Sequence, residues 1–133
     1  MTAFVDTNVL LRYLLNDVPD MAERAAQILD NSPDLALTDA IIAEVAYVLM
    51  RQYAVPRSAI VDDLIALIQK PNIGVWRLDK DTIIRALLLC RPSARVSFTD
   101  AMLWASARSA GATIVYSFDE RFPSDGIAVC QEP

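Results

Sequence analysis

The sequence predicts a single domain over residues 1–133, a three-layer α/β/α sandwich with a mainly parallel central sheet. Short apolar runs rich in Val, Ile and Phe alternate along the chain with longer segments that repeat apolar residues at helical spacing. Strands that alternate with helices form crossover units, whose strands run parallel. A chain of this length buries one hydrophobic core and is too short for two domains.

The first half of the chain predicts the order strand, helix, helix, strand, helix. Phe and Val favour a strand before Asp6, and the apolar residues after Asn8 follow a helical pattern. Pro19 and Pro33 mark the next boundaries, because the residue before a proline is biased away from the helical region. Thr38 or Asp39 is suited to cap a long helix. The predicted bounds are 3–5, 9–15, 20–29, 35–38 and 40–53.

The second half predicts helix, strand, helix, helix, strand, strand. Pro56 separates its first helix from the preceding one. The run 113–116 is β-branched or aromatic throughout, which favours a strand. Gly111 lies just before it, where a helix ends readily. The predicted bounds are 59–69, 73–78, 79–89, 97–110, 112–118 and 127–129.

Composition limits the possible functions. Hydrophobic residues make up 54% of the chain and the mean hydropathy is +0.30, so we expect some apolar surface to meet a partner or a second copy. The net charge is −5, so binding of nucleic acid requires a local basic patch rather than bulk attraction. The absence of histidine excludes histidine-based nucleophile systems and most zinc sites.

The two cysteines and the N-terminus predict a soluble cytoplasmic protein. Cys90 and Cys130 lie far apart and follow no CxxC pattern, which favours reduced core thiols, with a disulfide as the alternative. No cationic signal region is present, and no apolar run approaches the ~20 residues of a membrane span.

Asp6 and Asp119 each follow a predicted strand. Because the carboxyl ends of parallel strands meet at one sheet edge, both acids are expected to face the same crevice. Asp6 has two interpretations, as a cap of the first helix or as a ligand of a hard metal ion. Asp119 is equally suited to a surface turn.

Glu44 and Asp100 lie on predicted helices. Glu44 is expected inside the apolar stripe of Ile41, Val45 and Val48, where an acid is costly unless it is paired or binds a metal; the alternative is an acid at the stripe's edge whose head reaches water. Asp100 comes three residues after Ser97, a spacing that also fits a capping box.

The sequence motifs around the four acids resemble those of a known protein family. The chain resembles PIN-domain ribonucleases over essentially its whole length, and in size and order the toxins of VapBC-type toxin–antitoxin pairs. The matching motifs are Phe4-Val5-Asp6-Thr7-Asn8-Val9-Leu10-Leu11, Ile41-Ile42-Ala43-Glu44-Val45, Phe98-Thr99-Asp100-Ala101-Met102-Leu103-Trp104-Ala105 and Ser117-Phe118-Asp119 followed by Phe122. Ser117 stands where threonine is commoner in the family.

Four converging carboxylates would destabilise the fold unless a cation or raised pKa values relieved their repulsion, and Mg²⁺ or Mn²⁺ suits oxygen ligands. We therefore expect Asp6, Glu44 and Asp100 to bind a metal ion that assists RNA hydrolysis, with Asp119 on a second ion or on the attacking water. Thr7, Asn8 and Ser117 are expected to hold these carboxylates. Arg91, Arg95 and Arg121 are the candidates for RNA binding. The resemblance also implies a cognate antitoxin, and the high apolar content fits a homodimer.

Three other classes of protein share some of these features. A phosphatase of the haloacid-dehalogenase type needs Asp-x-Asp, and Asn8 occupies the second position. A receiver-like domain needs a lysine after its last core strand, and the run 117–121 has none. A catalytically silent PIN-like binding module remains an alternative, although all four acids are present.

Overall fold

The computed structural model describes residues 1–133, which form six helices and five short strands. In chain order the elements are β1 (Ala3–Phe4), α1 (Thr7–Leu15), α2 (Pro19–Asn31), β2 (Leu35–Leu37), α3 (Asp39–Arg51), α4 (Arg57–Ile68), β3 (Ile73–Val75), α5 (Lys80–Cys90), α6 (Phe98–Ser109), β4 (Ile114–Tyr116) and β5 (Ala128–Cys130). Every predicted element is present in its predicted order. The predicted α/β fold with parallel strands is confirmed.

The strands form two parallel sheets rather than the single sheet that the sequence predicts. β1 pairs with β2 and β2 with β3, so that Phe4, Ala36 and Gly74 lie side by side. β4 pairs with β5, with Val115 opposite Val129, and no ladder joins β1 to β4. The carboxyl ends of β1, β2 and β3 therefore share one edge, and Asp6 lies just beyond β1 at that edge.

The first four strands are shorter than predicted, and β3 and β4, which lose the most residues, are both followed by local turns. Trp76 still donates its N–H to the Leu37 carbonyl at 2.8 Å, but the Leu78 N–H then turns back to the Val75 carbonyl at 3.2 Å. This ends the predicted strand 73–78 at Val75. The predicted strand 112–118 likewise narrows to β4, because the Asp119 N–H turns back to the Ser117 side chain at 3.1 Å.

The helices surround one hydrophobic core. α1 packs on α2 and α3, while α6 packs on α3 and α5. Each large apolar side chain that is fully buried stabilises the fold by roughly 1.5–3 kcal/mol. The largest of these are Trp104, Leu10, Leu29, Leu35, Leu37, Ile42, Leu49, Ile60, Leu64, Ile68, Ile73 and Ile83. This packing fixes α1, α3 and α6 against one another. Asp6 immediately precedes α1, and Glu44 and Asp100 lie on α3 and α6.

Both cysteines are free thiols, as predicted; Cys90 is buried in the core, whereas Cys130 is partly exposed and is not the core thiol that the sequence predicts. None of the helices combines the length and the apolar character that a membrane crossing requires.

Candidate active site

Thr7 connects two of the predicted site acids. Its backbone N–H donates to Asp6 Oδ1 at 2.7 Å, and its hydroxyl donates to Glu44 Oε2, also at 2.7 Å. Thr7 is buried, so few water molecules compete for these bonds. The start of α1 and the middle of α3 are thereby held together, with the Asp6 and Glu44 carboxylates on either side of one threonine. The supporting role expected of Thr7 stays a prediction, and these two bonds are the contacts on which it rests.

Asp6 is the N-cap residue of α1, but its carboxylate is only partly used there. The main-chain carbonyl of Asp6 accepts the Val9 and Leu10 N–H groups at 3.2 and 3.4 Å. Its side chain bonds the first helical N–H, that of Thr7, whereas a typical capping side chain bonds the second or third. Oδ2 accepts no hydrogen bond from the protein. One carboxylate oxygen is therefore available to a ligand.

Glu44 does not lie inside the apolar stripe of α3, and this expectation was wrong. The buried residues of the helix are Ile42, Val45, Ala46 and Leu49, whereas Glu44 is exposed. The stripe is rotated by about one residue, because the small side chain of Ala46 lets that position face the core. Glu44 is an acid at the stripe's edge, the alternative that the pattern left open. Its bond to Thr7 keeps its carboxylate near the start of α1 rather than in bulk water.

Asp100 lies in the first turn of α6, where Ser97 provides the cap. The Ser97 hydroxyl accepts the Asp100 N–H at 3.0 Å. A capping box would also need the Asp100 carboxylate to accept the Ser97 N–H, and that bond is missing. The half-exposed carboxylate of Asp100 accepts no hydrogen bond from the protein. Capping therefore accounts for Ser97 and leaves the Asp100 side chain free.

Asp119 lies in a cleft of about 300 Å³ after β4. Arg95 and Ser117 line the same cleft. Asp119 Oδ1 accepts the Arg121 N–H at 2.8 Å and lies 3.4 Å from Arg121 Nε. The backbone N–H of Arg121 lowers the pKa of Asp119, and the Arg121 side chain adds to this. One of the two carboxylate oxygens of Asp119 thus makes the contacts expected of a turn aspartate, and the other accepts no hydrogen bond from the protein.

The remaining predicted residues have distinct surroundings. Asn8 is exposed and lines a mainly apolar cleft of about 270 Å³ between α1 and α2. The Ser117 hydroxyl accepts the Asp119 N–H, as a supporting residue would. Arg91 forms a two-pronged ion pair with Asp62, with both N–O distances 2.9 Å. Arg121 is engaged with Asp119, whereas the Arg95 side chain has no ionic partner.

The donor chemistry fits a hard, oxygen-seeking ion, because the site offers only oxygen ligands, and Oδ2 of Asp6 and both carboxylate oxygens of Asp100 accept no hydrogen bond from the protein. The spacing is wider than a closed metal shell, since no group of three or more His, Cys, Asp or Glu side chains is close enough to hold an ion together. The structure pairs Asp6 with Glu44 through Thr7. Convergence of all four acids remains a prediction.

Arg57 is a residue near the site that sequence analysis missed. Its Nη1 donates to the carbonyls of Cys90 and Val96, both at 3.0 Å. Its guanidinium also stacks 4.7 Å from the centre of the Phe98 ring. The partners lie 33 and 39 residues away in sequence, so no local pattern could have indicated them.

Comparison with known proteins identifies the family. Among solved structures, this chain is similar to VapC20 from Mycobacterium tuberculosis, which is described as a sarcin–ricin loop cleaving toxin. It shares 23% identity at a TM-score of 0.45, over 96% of this chain and 97% of that one. No match was found among curated proteins. The family described as PIN domain matches residues 3–124, which is most of the sequence. The chain therefore belongs to the PIN domain family.

Proposed function

We propose that this PIN domain is a metal-dependent endoribonuclease that acts as the toxin of a type II toxin–antitoxin pair in the cytoplasm. The observation that carries the proposal is the Thr7 bridge, which holds the Asp6 and Glu44 carboxylates together at the start of α1. Family membership over residues 3–124 and the motifs around the four acids support it.

The acids are suited to share a cation. Two carboxylates about 4 Å apart repel each other by roughly 4 kcal/mol at an effective dielectric constant near 20. Asp6, Glu44 and Asp100 would hold Mg²⁺ or Mn²⁺, directly or through water, and the ion would offset this repulsion. When bound, such an ion lowers the pKa of a coordinated water and neutralises charge on a phosphodiester. Histidine is absent from the chain, so carboxylates are the available bases.

The protein's own groups would orient the reaction. Thr7 fixes one oxygen of Glu44 and leaves the other free. Asp119 has Oδ2 available beside Arg95, where it would bind a second ion or orient the attacking water. Ser117 and Arg121 would keep Asp119 ionised and in place, since the Arg121 N–H lowers its pKa.

RNA binding needs local positive charge on this acidic chain. Arg95 is exposed, lines the Asp119 cleft and has no ionic partner, which makes it the strongest contact to a phosphate. Arg121 lies beside it. Arg91 would first have to leave Asp62, so its contribution is the smallest of the three.

An antitoxin would bind beside the acids. The cleft between α1 and α2 is lined by exposed Met21 and Ile28 and continues to Asn8, next to Thr7. Arg24 also lines this cleft and has no ionic partner, so it suits an acidic or amide-rich flank of the partner, whereas Arg12 is already paired with Asp17 at 3.1 Å. An apolar segment lying in this cleft would end near Asp6 and obstruct the site. Other exposed apolar side chains, such as Tyr116 and Phe118, are available to a homodimer.

Mapping of new RNA ends tests the proposal. Purified protein is incubated with total RNA in Mg²⁺, in Mn²⁺ and in EDTA, and new 5′ ends are sequenced. We expect a limited set of recurrent ends that appear with either metal and disappear in EDTA. Recurrent ends of equal number in EDTA would reject the metal-dependent mechanism, and no new ends in any condition would reject the ribonuclease.

A further inference from the structure

We propose that Arg57 is a positioning residue for Asp100, a role that rests on the proposed function of the site. Arg57 is the first residue of α4, far from the acids in sequence. Its Nη1 nevertheless reaches the carbonyls at both ends of the loop 91–96, those of Cys90 and Val96, at 3.0 Å each. This loop leads directly into α6, whose first turn carries Asp100.

A single guanidinium group closes this loop. Cys90 is the last residue of α5, where carbonyl groups lack helical partners. The same nitrogen that satisfies the Cys90 carbonyl also bonds Val96, so the two ends of the loop are held at a fixed separation. The Arg57 guanidinium lies over the Phe98 ring, with 4.7 Å between Cζ and the ring centre, and Phe98 is itself buried. Arg57 therefore restrains the residues on both sides of the cap of α6.

A short series of contacts connects the residues that Arg57 restrains to Asp100. Val96 precedes Ser97, and the Ser97 hydroxyl accepts the Asp100 N–H at 3.0 Å. The Asp100 carboxylate itself has no protein partner that orients it. Its position thus depends on how the start of α6 is held, and Arg57 is the charged side chain that holds it. Residues that orient a metal ligand without binding the metal typically change metal affinity by about 10–100-fold when they are mutated.

Lysine cannot replace arginine in this role. A guanidinium is planar, donates several hydrogen bonds in fixed directions and stacks on an aromatic ring, whereas an ammonium group is a flexible point charge. Arg57→Lys therefore keeps the charge and most of the side-chain volume but loses the fixed geometry. The variant isolates positioning from electrostatics.

Arg108 offers a matched control at the other end of α6. Its Nη1 donates to the Gly126 carbonyl at 3.1 Å, and its guanidinium lies 5.8 Å from the centre of the Trp104 ring. It thus makes the same two kinds of contact, a main-chain carbonyl and an aromatic face. It holds the loop before β5 rather than the start of α6, so Arg108→Lys should affect stability without affecting Asp100.

The test measures Mn²⁺ binding without RNA. Dissociation constants for Mn²⁺ are determined from the free-ion signal in electron paramagnetic resonance for wild type, Arg57→Lys and Arg108→Lys. Melting temperatures in EDTA and hydrogen exchange of residues 91–98 are measured on the same samples. We expect Arg57→Lys to weaken Mn²⁺ binding by about tenfold or more and to speed exchange in 91–98. Arg108→Lys should keep wild-type values for both.

Two results would overturn the proposal in distinguishable ways. If wild type binds Mn²⁺ and Arg57→Lys binds it equally well, the positioning role is wrong and the proposed metal-dependent function stands. If wild type binds no Mn²⁺, the metal site itself is absent and both claims fall. If Arg57→Lys is too unstable to titrate, Arg57→Gln replaces it, since its shorter amide cannot bond both carbonyls with one nitrogen as the guanidinium does. Unchanged Mn²⁺ affinity in that variant also overturns the proposal.

Discussion

The Thr7 hydroxyl and the Glu44 carboxylate, 37 residues apart in sequence, are joined by a hydrogen bond of 2.7 Å. This bond links the start of α1 to the exposed edge of α3, and the same threonine donates its N–H to Asp6. Charge-assisted hydrogen bonds of this length are among the stronger ones in proteins. Thr7 thus decides where two of the acids lie relative to each other.

Replacing Thr7 tests its orienting role. Thr7→Val keeps the shape of the side chain and removes the hydroxyl, so Glu44 loses its only protein partner. We expect a loss of stability of about 1 kcal/mol in urea unfolding. Cleavage should fall by about tenfold or more, because a group that fixes a ligand carboxylate is lost. Thr7→Ser retains the hydroxyl and should stay close to wild type. Equal cleavage by the valine and serine variants would contradict this role.

Two variants at the start of α6 distinguish a capping role from a metal-binding role. Ser97→Ala should lower stability in EDTA by about 1 kcal/mol, since it removes the side chain that accepts the Asp100 N–H. Asp100→Ala should melt close to wild type in EDTA, because its carboxylate makes no bond that folding depends on.

Metal-induced stabilisation completes that comparison. An ion that binds only the native state at about 100 times its Kd adds roughly 2.7 kcal/mol. Wild type and Ser97→Ala should therefore both melt higher in millimolar Mn²⁺ than in EDTA, whereas Asp100→Ala should lose most of this rise. A full rise in Asp100→Ala would remove Asp100 from the metal site.

The two thiols should differ in reactivity. Burial raises the pKa of the Cys90 thiol to about 11, whereas Cys130 is partly exposed. Iodoacetamide at pH 8 should therefore modify Cys130 and spare Cys90 in the native protein, as peptide mass spectrometry can show. Modification of both residues at equal rates would contradict the buried position of Cys90.

The same shift predicts a pH dependence of stability. The Cys90 pKa is higher in the folded state than its ordinary value of 9.0, so its contribution is complete below about pH 9. It is lost as the pH rises toward 11, because the unfolded chain releases its proton first. Urea unfolding between pH 8 and 11 should show a steeper fall for wild type than for Cys90→Ala. Parallel curves would contradict the assignment.

Two arginines of one loop should differ in RNA binding. Arg95 is exposed in the Asp119 cleft, whereas Arg91 is neutralised by Asp62. Arg95→Gln should weaken binding of a cleavage-inactive Asp6→Asn protein to RNA more than Arg91→Gln does, and it should reduce the salt dependence of binding. Filter-binding titrations at several salt concentrations measure both effects. A larger loss from Arg91→Gln would reverse the ranking.

The fold could be predicted from the sequence because its signals are local. Pro19, Pro33 and Pro56 mark boundaries, and the six helices and five strands occur in the predicted order. Strand lengths could not be predicted, because β3 ends at a backbone turn in which Arg77 takes a positive φ of 61°. The division into two sheets depends on which strand edges meet in space, and residue patterns do not encode this directly.

The site was less accessible to sequence reasoning than the fold. The position of Asp6 followed from the end of β1, which is a local feature. The pattern predicts Glu44 inside the core stripe, because Ile41 and Val48 are more strongly hydrophobic than Ala46. In the structure, packing buries Ala46 instead. The Thr7–Glu44 bond and the Arg57 contacts join segments more than 30 residues apart, so only the folded structure shows them.

The central claim is that Asp6 belongs to a metal site that cleaves RNA, and one measurement tests it most directly. Cleavage of total RNA in Mg²⁺ is compared among wild type, Asp6→Asn and Asp20→Asn, the last being an exposed acid in the first turn of α2. Asp6→Asn keeps the size of the side chain and removes one negative charge, so its stability in EDTA should equal or exceed that of wild type. The account predicts that Asp6→Asn yields no new RNA ends while Asp20→Asn cleaves like wild type. Cleavage by Asp6→Asn at the wild-type rate, with a lower melting temperature in EDTA, would show that Asp6 only caps α1 and would contradict the account.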